Sequence, residues 1–415
     1  MNSTLFRPRV RQHPDALAAL RHERENTEVL ATARPREENR RLMSSVVRVD
    51  VDLGPRAYPV LIGAGILPAL GATLREHGLK QTDAFIITNS TVGKHYFGIV
   101  QESLAASGFN KIVRHDIPPT EEGKNWDEFT GTCAALLESF PDTVSVPLVI
   151  LLGGGVVGDL GGFAAAVFRR GTPFVQIPTT LLAAVDSSVG GKVAVNFSGV
   201  KNIMGAFSQP RLVYCELASL GTLDAREVRS GTSEIIKYGA VCSASLFEQL
   251  ERGDLEKLVS LDPATLIDIT AQCVRLKAAV VEKDEFDKKG IRNVLNFGHT
   301  IGHALELSAD YALTHGEAIA IGMIAATKLA RDIGMVDQNF ADRLRNLIVR
   351  AGLPTSFPES AGLFDRIMRA MQMDKKFRDG KNVFVMPTAI GAWREAVNVD
   401  WNLVHASVRS ILTAP

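Results

Sequence analysis

The chain has 415 residues, of which 46% are hydrophobic and 22% charged. This is globular composition, and it excludes a disordered, collagen-like or disulfide-stapled chain. Lys+Arg and Asp+Glu both number 46, so the basic excess that marks a nucleic-acid partner is absent, while a local basic pocket for a phosphorylated small molecule stays possible.

Residues 1–42 hold nine Arg, no Lys and six acidic residues, with Pro8, Pro14 and Pro35 interrupting any long helix. We expect a mobile extension there, too acidic for a transit peptide. Ordered patterning begins after Met43, a candidate start. Val46–Leu53 alternates like a half-buried strand, and Pro59–Ile62 reads as a second one. Helical Ile66–His77 precedes the apolar strand Ala84–Thr88. Helical Trp126–Ser139 precedes Leu148–Leu152, and a third helical segment precedes Phe174–Ile177. Strands separated by helices predict a parallel sheet covered on both faces.

After Leu223 the pattern becomes helical over Ala225–Tyr238, Ala244–Arg252, Pro263–Lys283, Gly298–Leu307, His315–Ile333, Asn339–Ala351 and Ser360–Met373. Only Asn382–Pro387 reads as a strand there. The expected architecture is an α/β half followed by a mostly α-helical half. Cys133, Cys215, Cys242 and Cys273 include no CxxC pair, which predicts four buried thiols in a reducing compartment rather than a cysteine zinc site. No apolar run approaches the roughly 20 residues that cross a bilayer, and no signal-peptide core opens the chain. We expect a cytoplasmic protein with no membrane partner.

Three stretches could carry chemistry. Gly153-Gly154-Gly155-Val156-Val157-Gly158-Asp159 follows an apolar strand and opens a helix, where backbone N–H groups can take a phosphate. Pro178 to Lys192 gathers hydroxyls, Asp186, paired glycines and a lysine. Lys192 and Lys201, with Arg169 and Arg170, could form a local cationic site at the carboxyl edge of the sheet. The helical half holds Glu234 and Lys237, then His299 and His303 four residues apart on one helix face, then His315. Such a set suits a zinc-like cation, with no HExxH to suggest a protease.

These stretches resemble the 3-dehydroquinate synthases, the NAD- and metal-dependent sugar-phosphate cyclases of the shikimate pathway. The resemblance runs from about Val46 to Trp401. It includes GGGVVGDLGGF at 153–163, PTTLLAAVDSSVGGK at 178–192, KNIMGAF at 201–207, SEIIKYG at 233–239, LNFGHTIGHALE at 295–306, HGEAIAIGM at 315–323 and DKK at 374–376. It implies a Rossmann-like NAD-binding α/β domain over 43–224 and a mostly helical metal- and substrate-binding domain over 225–415.

By resemblance the metal ligands, for zinc or cobalt, are Glu234, His299 and His315, with His303 on the substrate side. That differs from the pairing of His299 with His303 by spacing. NAD would lie against Gly153, Gly154, Gly155, Val156 and Asp159, with Thr179, Thr180 and Leu182 beside it. Asn89, Glu121, Lys124, Asp186, Lys192 and Lys201 complete that set. Substrate would meet Asp186, Lys192, Asn202, Lys237, Lys277, Arg292, Asn296 and His303, with Arg170 and Lys375 or Lys376 as further anion-binding positions.

The implied reaction oxidises a ring carbinol with NAD, eliminates phosphate, returns the hydride, opens the ring and closes a carbocycle. The family further implies a homodimer. Three departures stand out. The stretch Asp284–Arg292 is one residue longer than the family's D-E-x-E-x-G-(I/L)-R, Asp287 replaces the usual Glu, and Glu216 replaces the usual Asp. The substrate expected is 3-deoxy-D-arabino-heptulosonate 7-phosphate. A cyclase of secondary metabolism acting on sedoheptulose 7-phosphate, or an amino-analogue synthase, is the alternative. An iron-type alcohol dehydrogenase shares the two-domain plan but needs no such anion site.

Overall fold

Buried runs of branched and apolar residues build the first half around one sheet. Its strands in chain order are β1 (Val47–Val51), β2 (Tyr58–Gly63), β3 (Asp83–Thr88), β4 (Lys111–Asp116), β5 (Leu148–Gly153) and β6 (Phe174–Pro178). A separate hairpin of β7 (Lys192–Phe197) and β8 (Val200–Phe207) follows, and β9 (Leu212–Glu216) returns to the sheet. The order is β1-β2-β9-β6-β5-β3-β4. Only β1 and β2 pair antiparallel; every other neighbour is parallel. All six residues of β5, LVILLG, are buried, as a parallel strand covered on both faces requires. This computed structural model describes residues 46–142, 146–310, 312–372 and 381–414. The expected extension 1–42 and the candidates Lys375 and Lys376 lie outside the described residues.

The helices of the first half are α1 (Leu70–Glu76), α2 (Ser90–Ala106), α3 (Trp126–Ser139) and α4 (Gly155–Val167). The second half contains α5 (Ala225–Cys242), α6 (Ala244–Gln249), α7 (Leu255–Val259), α8 (Pro263–Lys283), α9 (His299–Ser308), α10 (His315–Asp332), α11 (Gln338–Arg350), α12 (Leu363–Gln372) and α13 (Trp401–Ser410). Helix α8 packs on β1 and β2. One apolar core therefore continues from Val49 in the sheet to Ile411 near the end of the chain. A second core, with Phe85, Phe129 and Phe163, lies under α3 and α4.

The crossing of α9 and α10 positions the site. Gly298 caps the start of α9 at φ +79°, a left-handed conformation that suits glycine. A Cβ on Gly322 of α10 would stand 2.1 Å from Gly298 O and 2.7 Å from Gly302 N. The two backbones therefore touch, and His299 and His303 come beside the first residue of α10. That helix starts sharply at His315 because Thr314 and Glu317 form a reciprocal capping box. Arg226 of α5 holds the Glu317 carboxylate at 2.6 and 2.8 Å.

Most expected elements stand within two residues of their sequence positions, and Trp126–Ser139 and Pro263–Lys283 coincide with their helices. The misses have physical reasons. Strand β4, KIVRHD, is a half-exposed edge strand with no apolar run. Hairpin β8 is mostly exposed and carries polar residues. Asn382–Pro387 is not the only strand of the second half, because Ala392–Val397 pairs with Val383–Ala389. Ala244–Arg252 is not one helix either. Helix α6 stops at Gln249, and a wider turn over Leu250–Asp254 carries Gly253 at φ 120°. Of the four free cysteines, Cys215 and Cys273 are buried while Cys133 and Cys242 are half-buried, which corrects the expectation of four buried thiols.

Gly322→Ala should lose at least about 1–3 kcal/mol of stability, because backbone cannot yield as a flexible side chain does. Gly131→Ala, in α3 with nothing within 4 Å of the added carbon, should gain about 0.5–1 kcal/mol. Denaturant unfolding of both variants checks the pair; equal effects would contradict the close helix crossing.

Candidate active site

The sheet reverses its strand order between β3 and β5, because the chain adds β4 on one side of β3 and then β5 and β6 on the other. Ligands of open α/β sheets sit outside the carboxyl ends of the strands at such a point. Three candidate groups meet there. Asn89 follows β3, the glycine turn follows β5, and Thr179 and Thr180 follow β6. Gly154 caps α4 without a side-chain hydrogen bond, so backbone N–H groups at this helix start are available to an anion. A Cβ on Gly153 would meet Val157 at 2.5 Å and one on Gly154 would meet Thr180 at 2.8 Å, so only glycine makes the turn this tight.

The hydroxyls of Thr88, Thr179 and Ser188 are buried there without hydrogen-bond partners, which fits a polar ligand such as a dinucleotide. Asn89 also has a structural duty: its Oδ1 accepts from Val92 N at 2.9 Å and caps α2. Buried Lys124 donates to Asp159 at 3.0 Å and lies 3.3 Å from Glu121. Leu182 leads into a segment, Ala183–Ser187, wound wider than an α-helix.

That segment presents Asp186 to the helical half. Lys277 of α8 donates to Asp186 O at 2.6 Å and pairs with its Oδ1 at 2.5 Å. Tyr238 OH donates to Oδ1 at 2.7 Å, and Lys237 lies 3.9 Å from Oδ2. Burial alone would raise the Asp186 carboxyl, but the two lysines and the tyrosine outweigh it and hold the carboxyl well below its usual range. Burial pulls Lys277 down despite Asp186. Burial also opposes the charge on Lys237, where Glu234 and Asp186 win and raise it.

Glu234, on the same helix as Lys237, is fully buried. Lys237 abuts its Oε2 as an ion pair, yet neither carboxylate oxygen accepts a well-formed hydrogen bond. Its Oε1 lies 3.5 Å from His299 Nε2 and 3.6 Å from His315 Nε2. One nitrogen from each of His299, His303 and His315 falls within 4.8 Å of the others. A buried carboxylate with one oxygen against Lys237 and the other facing two imidazole nitrogens is a donor set that fits a divalent cation.

His299 Nδ1 contacts Phe297 O at 3.1 Å. A carbonyl only accepts, so Nδ1 carries the proton and Nε2 presents its lone pair toward Glu234. Burial would lower His315, but Glu234 and Glu306 overcome it and lift the imidazole to about 9. His303 is the exposed member of the trio. Distance alone does not divide ligands from substrate-side groups, because the spacing-based pair and the resemblance-based set share this one cluster.

The remaining candidates divide. Exposed Lys192 pairs with Asp287 at 2.6 Å. Half-buried Lys201 pairs with Glu306 at 2.9 Å. Asn202 lies on β8 at φ 52°, and half-buried Asn296 ends the short helix before α9. Buried Arg292 donates to Gly190 O at 3.1 Å and Glu285 O at 2.9 Å, while its Nε has no partner.

Arg169 and Arg170 do not join Lys192 and Lys201 within this chain. They follow α4 at the opposite edge of the sheet, where Phe174 pairs with Val149 near the start of β5. Arg169 is occupied by Phe140 O at 2.6 Å and by Asp142 O. Sequence reasoning assigned nothing to Tyr238 or Glu306. Glu306 carried a signal nonetheless: it lies three residues after His303 and seven after His299, on the same helix face.

A family model described as the N-terminal part of 3-dehydroquinate synthase matches residues 114–230, and the C-terminal model matches 231–377. A curated 3-dehydroquinate synthase from Desulforamulus reducens is 44% identical over 88% of this chain and 99% of its own length. The solved 2-epi-5-epi-valiolone synthase of Streptomyces hygroscopicus, with NAD+ and Zn2+ bound, is 27% identical. It covers 85% of this chain and 96% of that one with a TM-score of 0.76. A 2-deoxy-scyllo-inosose synthase, 23% identical with a TM-score of 0.79 over 88% of this chain and all of its own, shares the fold. With both family models matched in order and a curated member 44% identical over 88% of the chain, the chain belongs to the 3-dehydroquinate synthase family.

Proposed function

We propose that the chain converts 3-deoxy-D-arabino-heptulosonate 7-phosphate to 3-dehydroquinate and phosphate, as an NAD- and metal-dependent carbon–oxygen lyase. The observation that carries this reading is buried Glu234, whose Oε1 faces His299 and His315 without a well-formed hydrogen bond. Glu234, His299 and His315 would hold a divalent metal, zinc or cobalt. The glycine turn, Asp159 and Thr179 would hold NAD. When bound, NAD supplies a reversible hydride acceptor and the metal supplies Lewis acidity toward carbinol and carbonyl oxygens.

The chain's own residues do the rest. Lys237 and Lys277 stand against Asp186 and Glu234, and Arg292 adds a cation whose Nε is buried and unpaired. Low dielectric strengthens their hold on a substrate carboxylate, phosphate and developing enolate charge. Tyr238 and Lys277 fix Asp186, so the cationic wall is in place before substrate arrives. Lys192 and Asn202 of the hairpin and Asn296 and His303 of the helical side close over one conformer of a flexible intermediate, which limits side reactions.

Residues 43–224 form the NAD-binding half and 225–415 the metal- and substrate-binding half. Among the described residues no helix is long and apolar enough to cross a membrane. A homodimer in the cytoplasm completes the proposal, supported by the family resemblance and the four free cysteines.

The longer Asp284–Arg292 loop favours testing one second reading, a sedoheptulose 7-phosphate cyclase. Purified protein with NAD+ and Zn2+ should release phosphate and form dehydroquinate from the heptulosonate alone, with no net NADH. Turnover of sedoheptulose 7-phosphate instead would move the chain to cyclitol synthesis, and net NADH would point to a dehydrogenase.

His299→Ala should abolish measurable turnover and metal retention together, read by metal analysis of the dialysed protein. Retained zinc with intact turnover would remove His299 from the ligand set. Lys192→Met should lower kcat/KM by about 10²–10³-fold, the loss of one anion-stabilising donor. Wild-type rates would reduce Lys192 to a surface partner of Asp287.

A further inference from the structure

We propose that Glu306 is a positioning residue that ties His315 to Lys201 of the hairpin and so couples metal affinity to dinucleotide affinity. The inference rests on the metal and NAD reading above, which assigns Glu306 no role. Glu306 is buried at 4% exposure on α9, where an unpaired carboxylate would be costly. Its two oxygens face two different parts of the molecule, and Oε2 accepts no well-formed hydrogen bond. Oε1 accepts from Lys201 Nζ at 2.9 Å, and Oε2 lies 3.6 Å from His315 Nδ1.

An ionised carboxylate only accepts, and the Lys201 ammonium at 2.9 Å stands against its other oxygen. With a cation bound between Nε2 and Glu234, the neutral His315 ring would keep its proton on Nδ1, the nitrogen that faces Glu306 Oε2. Carboxylates behind metal-ligating histidines orient the ring and raise its basicity in this way.

The second oxygen makes Glu306 more than a local brace. Lys201 lies on β8 and is 3.9 Å from Glu121. Glu121 in turn lies 3.3 Å from Lys124, which holds Asp159 of the glycine-turn helix. Asn196 of β7 donates to Glu121 Oε1 at 2.9 Å. A dinucleotide that displaces any member of this group moves Lys201, and Lys201 pulls on the carboxylate that sets His315. Coupling of two binding equilibria is reciprocal, so metal must change NAD+ affinity by the same factor.

The test measures Co2+ affinity of metal-stripped protein by competition with a chelating dye, with and without saturating NAD+, and needs no turnover. In the wild type NAD+ should shift the Co2+ affinity severalfold. Glu306→Gln should weaken Co2+ binding by about 10–100-fold and abolish the NAD+ effect. Lys201→Met should lose the NAD+ effect at NAD+ concentrations that a fluorescence titration shows to saturate the variant, which separates lost coupling from lost dinucleotide binding. Circular dichroism confirms that each variant is folded, and Lys201→Met carries the coupling test if Glu306→Gln is not. Wild-type Co2+ affinity in folded Glu306→Gln, or a wild type indifferent to NAD+, overturns the inference and leaves the function standing. A wild type that takes up no Co2+ overturns both.

Discussion

Burying charge imposes the main constraint on this molecule. Side chains of alternating sign run from Asp159 through Lys124, Glu121, Lys201, Glu306, His315, Glu234, Lys237 and Asp186 to Lys277, each within 4 Å of the next. Several are almost wholly buried, and a buried ion without a partner costs several kcal/mol. The series passes through a glycine-turn helix, a loop, a hairpin, α9, α10, α5, the wide turn and α8. Its members offset one another's desolvation only when all of these arrive together. Functional polarity thus acts as a constraint on the tertiary arrangement, because a misplaced element leaves an ion stranded.

Backbone contact supplies the precision. The touching glycines of α9 and α10 fix the distance between His299 and His315 more tightly than side-chain packing could, since a backbone has no rotamers to adjust. The wide turn at Ala183–Ser187 has a comparable role. Ser188 N bonds to Ala183 O at 3.2 Å, five residues back, and insertions of this kind re-aim a side chain within a helix. Here the re-aimed side chain is Asp186, the carboxylate that Tyr238 and Lys277 both grip.

The departures from the family pattern resolve into local structure. Glu216 accepts from Gly65 N, Leu67 N and Ala218 N at 2.6 to 2.9 Å, so a turn-capping duty accounts for it without any substrate contact. The longer loop wraps around buried Asp284, whose oxygens accept from Lys288 N, Lys289 N and Ile291 N. Burial would raise Asp284, but these N–H donors hold it lower than usual. The loop places Asp287 at φ 54°, a sparsely populated conformation for a residue with a side chain. From there it reaches Lys192, so the variant position remains at the site even though the loop is longer.

By itself the sequence determined the strands buried on both faces, the amphipathic helices, the glycine turn and the family. Each is written in local periodicity or in an uninterrupted motif: LVILL, short, branched and followed at once by glycines, reads as an interior strand, and LNFGHTIGHALE sets three polar side chains on one helix face. Tertiary structure decided what depends on distant partners. Edge strand β4 has no apolar run and strand β8 is mostly exposed, so both gain their form from neighbours. Arg170 lies at the far edge of the sheet although its charge looked suitable beside Lys192. Glu306 gained meaning only when Lys201, 105 residues earlier, arrived at its other oxygen. Periodicity reports which face of an element is buried, but a charge pair between elements exists only after the chain has closed around it.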